Sequence, residues 1–178
     1  MALSMPLDRI DFDILNALQN DARLSNKTLA GRVGLAPSSC LERVRRLERA
    51  RVLRGFHAKV DPGALGVGLQ ALVFVRLARH SRRQVETFRR HALSLPQTVA
   101  VYHVSGRHDF LVHVAVQDAD RLRDLTMDAF TTRREVGQIE THLIFEHVQR
   151  PELPAPARAQ VQAQAAPRRA RRAAPSGA

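Results

Sequence analysis

The chain is poor in the residues that build covalent and metal-bound scaffolds. Cys40 is the only cysteine among 178 residues, which excludes an intrachain disulfide and a cysteine-based zinc finger. Beside Leu41 and Val44 it reads as a small core residue, the alternative being a redox role for a thiol near a helix N-terminus. Eight histidines are present, yet none form a metal-binding pair at helical spacing. His103 and His113 fall on strands expected to be neighbours, and without further ligands no metal site is expected. Long apolar runs are also missing. No stretch approaches the ~20 apolar residues of a membrane span, and no apolar run follows the first basic residues as in an export signal, so a soluble, cytoplasmic protein is expected. Neither G-x-S-x-G, a phosphate loop nor a paired-carboxylate motif occurs, so neither an enzyme nor a cofactor is expected.

What is present is cationic. Lys and Arg number 28 against 17 Asp and Glu, a net charge of +11. Such a field concentrates polyanions, and nucleic acid is the first candidate partner. Lys27 and Lys59 are the only lysines. An arginine bias of this kind arises from a GC-rich genome as readily as from selection for phosphate binding, so position carries more weight than count.

Position singles out residues 25–51. Ser25 or Asn26 caps a first helix that buries Leu29 and Val33, four apart. Gly34 closes it in the left-handed conformation, and Pro37 opens a second helix at a first-turn position. In that second helix Leu41, Val44 and Leu47 form an apolar side. Ser38, Ser39, Glu42, Arg45, Arg46 and Arg49 occupy the other. The excess of arginine is larger than Glu-Arg pairing at four-residue spacing requires. This is the pattern of a helix-turn-helix whose second helix reads DNA: arginine can meet guanine edges or phosphates bidentately, and serines allow close approach.

Around this pair the chain divides into four parts. Residues 1–60 form the DNA-binding domain, starting with a helix over Leu7, Ile10, Ile14, Leu15 and Leu18 that Asp8 caps and Asp11 favours in its first turn. Residues 52–60 suggest a wing or strand offering Arg54 and Lys59 to phosphates. Asp61-Pro62-Gly63 and the following glycines make 61–69 a linker. Residues 70–150 then read as strand (ALVFVRL), helix (82–95), two strands (98–105 and 109–116) joined at Gly106-Arg107-His108, a helix capped by Asp118, and a last strand (139–148). That order is the ferredoxin-like βαββαβ fold, with both helices on one side of the sheet. Apolar residues nevertheless reach both faces: Leu72 and Phe74 alternate with Ala71, Val73 and Val75, and Val99, Val101, Tyr102 and Val104 do the same. A second copy is the economical cover for the open face, so at least a homodimer is expected. Residues 151–178 collapse to Pro, Ala, Gln and Arg and are expected to form a disordered basic tail.

Leu7-Asp8-Arg9-Ile10-Asp11, VGLAPSSCLERVRRLE, Leu53-Arg54-Gly55-Phe56, Asp61-Pro62 and Val104-Ser105-Gly106-Arg107-His108-Asp109-Phe110 stand in an order that strongly resembles the leucine-responsive regulatory protein (Lrp)/AsnC family of transcription factors. The resemblance implies an α+β protein: an N-terminal winged helix-turn-helix and a C-terminal ferredoxin-like domain that dimerises, often assembles to octamers and in many members binds an amino acid. It carries the effector site to Gly106, Asp109, His142, Leu143 and Ile144. Asp109 would accept the ammonium of a zwitterion and the backbone at Gly106 its carboxylate. Arg107-His108 depart from the acid that follows the glycine in several leucine-type members, which leaves the effector open. For DNA, Ser38, Ser39, Glu42, Arg45 and Arg46 are the expected base-edge contacts and Lys27, Arg49 and Arg54 the phosphate contacts. Two alternatives share the architecture or the charge: a nucleoid-associated architectural protein and a siroheme-decarboxylase-like enzyme, the latter expected to have an eroded reading helix.

Overall fold

The computed structural model describes residues 6–150 and 152–153. The chain forms two compact units, the first reaching to Ala58 and the second spanning Lys59–Val148.

The first unit is three helices on one small core. Helix α1, Arg9–Asn20, opens under a reciprocal capping box: the Asp8 carboxylate accepts from the Asp11 amide, and the Asp11 carboxylate accepts from the Asp8 amide. Each end thereby satisfies a donor that the helix itself leaves unpaired. Helix α2, Asn26–Val33, is capped by Ser25 and closed by Gly34 at φ 69°, a conformation available to glycine at no steric cost. Helix α3, Pro37–Arg49, starts at Ala36, which supplies no side-chain cap. Ile14, Leu18, Leu29, Ala30, Cys40 and Leu47 make the buried core.

Two expectations change here. The buried line of α3 runs through Cys40 and Leu47 with Val44 half-buried, while Leu41 is 38% exposed; the apolar side is rotated by one residue. The Cys40 thiol is pushed up by burial, opposite to the shift an activated thiol needs. Residues 52–60 form no strand. The amides of Val52 and Leu53 both bond to the Leu47 carbonyl and their side chains pack on the three-helix core. A wing needs a second strand to pair with, and among the described residues of this unit none exists.

The second unit is a four-stranded antiparallel sheet in the order β2-β3-β1-β4, where β1 is Leu69–Leu77, β2 Thr98–His103, β3 Phe110–Val116 and β4 Val136–Leu143. Helices α4, Arg82–Ser94, and α5, Ala119–Thr126, both lie on one side. The strand period of two decides which residues they cover: Ala71, Val73 and Val75 pair with Val114, Val112 and Phe110 and are buried against Phe88, Ala92, Leu122 and Leu125. A five-residue π-helical turn, Met127–Thr131, follows α5 and delivers Phe130 to the Phe88–Phe110 aromatic cluster. The last strand lies nearer the N-terminus than 139–148. It ends at Leu143 because its partner β1 begins at Leu69; beyond it one further amide, Ile144, reaches the Gln70 carbonyl.

The opposite sheet face carries Leu72, Phe74, Ala100, Tyr102, Leu111 and Ala115, set among Gln70, His113, Glu140 and His142. Val101 points to the helix side and packs on the core. The expected basic tail lies outside the described residues except for Glu152 and Leu153.

Candidate nucleic-acid interface and ligand face

Helix α3 presents Ser38, Ser39, Glu42, Arg45 and Arg49 to solvent, and Lys27 and Arg54 are exposed on neighbouring segments of the same unit. A shallow open depression on α3 is lined by Ser38, Ser39, Glu42, Arg43 and Arg46. Glu42 and Arg49 bridge each other at 2.5 Å along the exposed side, so this pair is close to neutral. Among the described residues Arg45, Lys27 and Arg54 pair with no carboxylate, which leaves their charge available to phosphate or to base edges.

Arg46 is placed differently from the other expected contacts. Its Nη2 donates to both oxygens of Asp11, at 2.7 and 2.6 Å, and Asp11 is fully buried. Arg43, which the sequence reading passed over, donates from Nη1 to Asp8 at 2.7 Å and to Asp11 at 2.9 Å. Hydrogen bonding to Asp8 leads the causes that raise the Arg43 pKa. The two acids therefore act as caps of α1 and as anchors of α3 together. The available signal was the spacing of Arg43 and Arg46, three apart and so on one face of α3; which acids would meet them depends on how α1 crosses α3.

On the second unit, Gly106 sits at φ 115° with open space where a Cβ would be, so its backbone is accessible. Asp109 is already engaged: Oδ2 accepts from the Leu77 amide at 2.7 Å and Oδ1 lies 2.7 Å from His80 Nδ1. Arg107 and His108 fold onto β4, with Arg107 Nη2 at 2.9 Å and His108 Nε2 at 3.3 Å from Glu140 Oε1. His142 lies 3.8 Å from the other Glu140 oxygen, and Phe74 packs between the rings of His108 and His142. The positive charge of Arg107 is thus partly balanced by Glu140.

The structure separates the expected effector residues. Gly106 and Asp109 lie at the end of β1 near Val75 and Leu77. Leu143 pairs with Ala71, and Ile144 reaches Gln70, at the other end of the strand roughly 13 Å away at 3.3 Å per residue. There Leu143 and Ile144 line a separate depression with Val67, Leu69 and Gln70. His142, opposite Leu72, stands between the two ends. His103 and His113 lie on opposite faces, since His103 pairs with Phe110 and His113 with Ala100. Among the described residues no three His, Cys, Asp or Glu side chains converge to hold a metal.

The family model of the AsnC-type helix-turn-helix domain matches residues 7–48, and that of the Lrp/AsnC ligand binding domain matches residues 70–153. The chain belongs to the Lrp/AsnC family of transcriptional regulators. It is similar to the HTH-type transcriptional regulator AldR of Mycolicibacterium smegmatis, 44% identical over 142 residues that cover 80% of this chain and 83% of AldR. It is 38% identical over 142 residues to the leucine-responsive regulatory protein of Escherichia coli, covering 80% and 87% of the two chains. A transcriptional regulator of Neisseria meningitidis solved in complex with L-Met superposes with a TM-score of 0.75 at 28% identity, over 81% of this chain and 93% of that one. As an Lrp/AsnC regulator the chain joins a DNA-binding helix-turn-helix to a small-molecule-binding α+β domain. No helix among the described residues is long and apolar enough to cross a membrane.

Proposed function

We propose that this Lrp/AsnC regulator acts as a homodimer or higher assembly that sets two α3 helices into successive major grooves of one DNA site, and that an amino acid tunes the assembly. The observation that carries the reading is the exposed side of α3, where Ser38, Ser39, Glu42 and Arg45 project from a helix backed by a complete three-helix core. In this reading those four residues and Arg46 meet base edges, while Lys27, Arg49 and Arg54 meet phosphates. The open sheet face, with Leu72, Phe74, Tyr102 and Leu111, is the surface that a second copy covers.

The effector is a free amino acid, a reading supported by the L-Met complex of the Neisseria relative. Gly106 offers open backbone for its carboxylate. Asp109, already bonded to Leu77 and His80, chiefly shapes the hairpin and leaves its remaining lone pairs for an ammonium group. Leu143 and Ile144 join the same site only if a neighbouring copy brings them there, which couples effector binding to assembly. The protein acts by binding, without catalysis.

Competition between DNA from upstream of its own reading frame and random DNA at physiological salt tests the DNA half. A preference of ~10³ or more is expected of a specific regulator, whereas a ratio near one favours the architectural alternative. A melting-temperature screen of the common amino acids tests the sensor half, since a ligand stabilises the state that binds it. No shift with any of them would remove that half.

A further inference from the structure

The contacts of Asp11 are unusual for a helix-capping residue. It is fully buried, it holds the Asp8 amide at 3.1 Å through Oδ2, and it receives Arg46 on both oxygens and Arg43 on one. Asp8 accepts from the same Arg43 nitrogen, Nη1. Two carboxylates and two guanidiniums thus form a neutral bracket between the first turn of α1 and the middle of α3. A buried ion pair of this kind contributes little net stability, because desolvation offsets most of the attraction. What it does fix is direction, since Arg43 and Arg46 share one face of α3 and being held at both prevents the helix from rolling.

We propose that Asp11, assisted by Asp8, is a positioning residue for DNA recognition: it sets the roll of α3 and aims Arg46 at the DNA. The Arg46 geometry fits this role. Nη2 is spent on Asp11, Nε is buried with no partner, and Nη1 makes no hydrogen bond among the described residues. The side chain is 41% exposed and lines the depression shared with Ser38, Ser39 and Glu42. Asp11 also withholds charge. With the bracket intact, Arg43 and Arg46 are poor general phosphate binders; without it, each becomes a free cation that any DNA attracts. The proposal rests on α3 being the reading helix.

The test is Asp11→Asn in the full chain, with affinities for the upstream DNA and for random DNA measured across a salt series. The expected result is a loss of about tenfold or more on the upstream site, no loss or a gain on random DNA, and a salt slope steeper by about 0.9 for each cation released. Equal losses on both DNAs at unchanged slope would make Asp11 merely structural and overturn the proposal, as would an unchanged preference. If the purified variant does not melt cooperatively, Asp8→Asn serves instead. Asparagine remains a good N-cap while Arg43 loses one carboxylate, and the same fall in preference and rise in slope are expected at smaller size. Arg46→Ala combined with Asp11→Asn should lose less preference than the sum of the two single losses, because the two residues act in part as one unit; fully additive losses count against it. A wild-type chain with no preference between the DNAs would instead overturn the reading of α3 itself.

Discussion

Asp109 joins two strands and a loop through one carboxylate, accepting the Leu77 amide on Oδ2 and facing His80 Nδ1 on Oδ1, both at 2.7 Å. Replacing it with alanine leaves the Leu77 N–H without its acceptor, and the second unit should lose about 1–3 kcal/mol, read as a lower denaturant midpoint with or without amino acid. Burial pushes the Asp109 carboxyl up, but the Leu77 amide and His80 outweigh it and hold the pKa below the ordinary 3.8. The stabilising contribution is therefore complete above pH ~4 and lost as pH falls below that value. Acid unfolding curves of wild type and Asp109→Ala should converge there.

His113 should make the second unit sensitive to mild acid. It is 6% exposed, its Nε2 meets Gln70 Oε1 at 2.8 Å, and burial followed by the nearby His147 lowers its pKa from 6.5. The unfolded chain then binds a proton that the folded chain refuses. Stability should be complete above pH 6.5 and decline as pH falls towards the folded-state pKa. His113→Gln should flatten the dependence of melting temperature on pH over that window; an equally steep curve would assign the slope to other groups.

Gly68 admits no side chain. A Cβ there would fall on the backbone carbonyl oxygen of Gln117, next to the point where the Gly68 amide bonds to Val116. Gly68→Ala should cost about 1–3 kcal/mol, as overpacking against backbone does, visible in thermal melts. Gly31→Ala, with nothing within 4 Å of the new atom, is the control and should leave stability equal or slightly higher.

Ala36 opens helix α3 without a side-chain hydrogen bond, at φ −65° and ψ 145°, a geometry that suits a capping hydroxyl. Ala36→Ser should stabilise the first unit by about 1 kcal/mol. Chemical denaturation followed by helical signal would detect it.

The open sheet face should hold copies together. Phe74→Glu places a charge between His108 and His142, beside Glu140, and should turn the proposed homodimer into monomers in sedimentation at micromolar concentration while the monomer stays folded. Unchanged sedimentation would move the interface elsewhere.

Local elements were legible because they depend on local chemistry. The caps at Asp8 and Ser25, the left-handed stop at Gly34 and the proline start of α3 follow from side-chain hydrogen bonding and backbone sterics within a few residues, and they appear where the sequence places them. The alternation through β1 likewise assigned Ala71, Val73 and Val75 to a single buried face. The wing failed because a strand requires a partner, and composition around Arg54 cannot supply one.

The sequence by itself determined a basic helix-turn-helix joined to a βαββαβ sheet, since hydrophobic period, caps and glycine stops are properties of neighbouring residues. Only the tertiary structure decided what individual charges do. Arg45 and Arg46 are adjacent and chemically identical, yet among the described residues one pairs with no carboxylate and the other is tied to a buried carboxylate 35 positions away. Asp109, expected to bind the effector, is largely occupied by Leu77 and His80. Electrostatic roles are set by distance and burial between segments, and those follow from how the helices and strands cross.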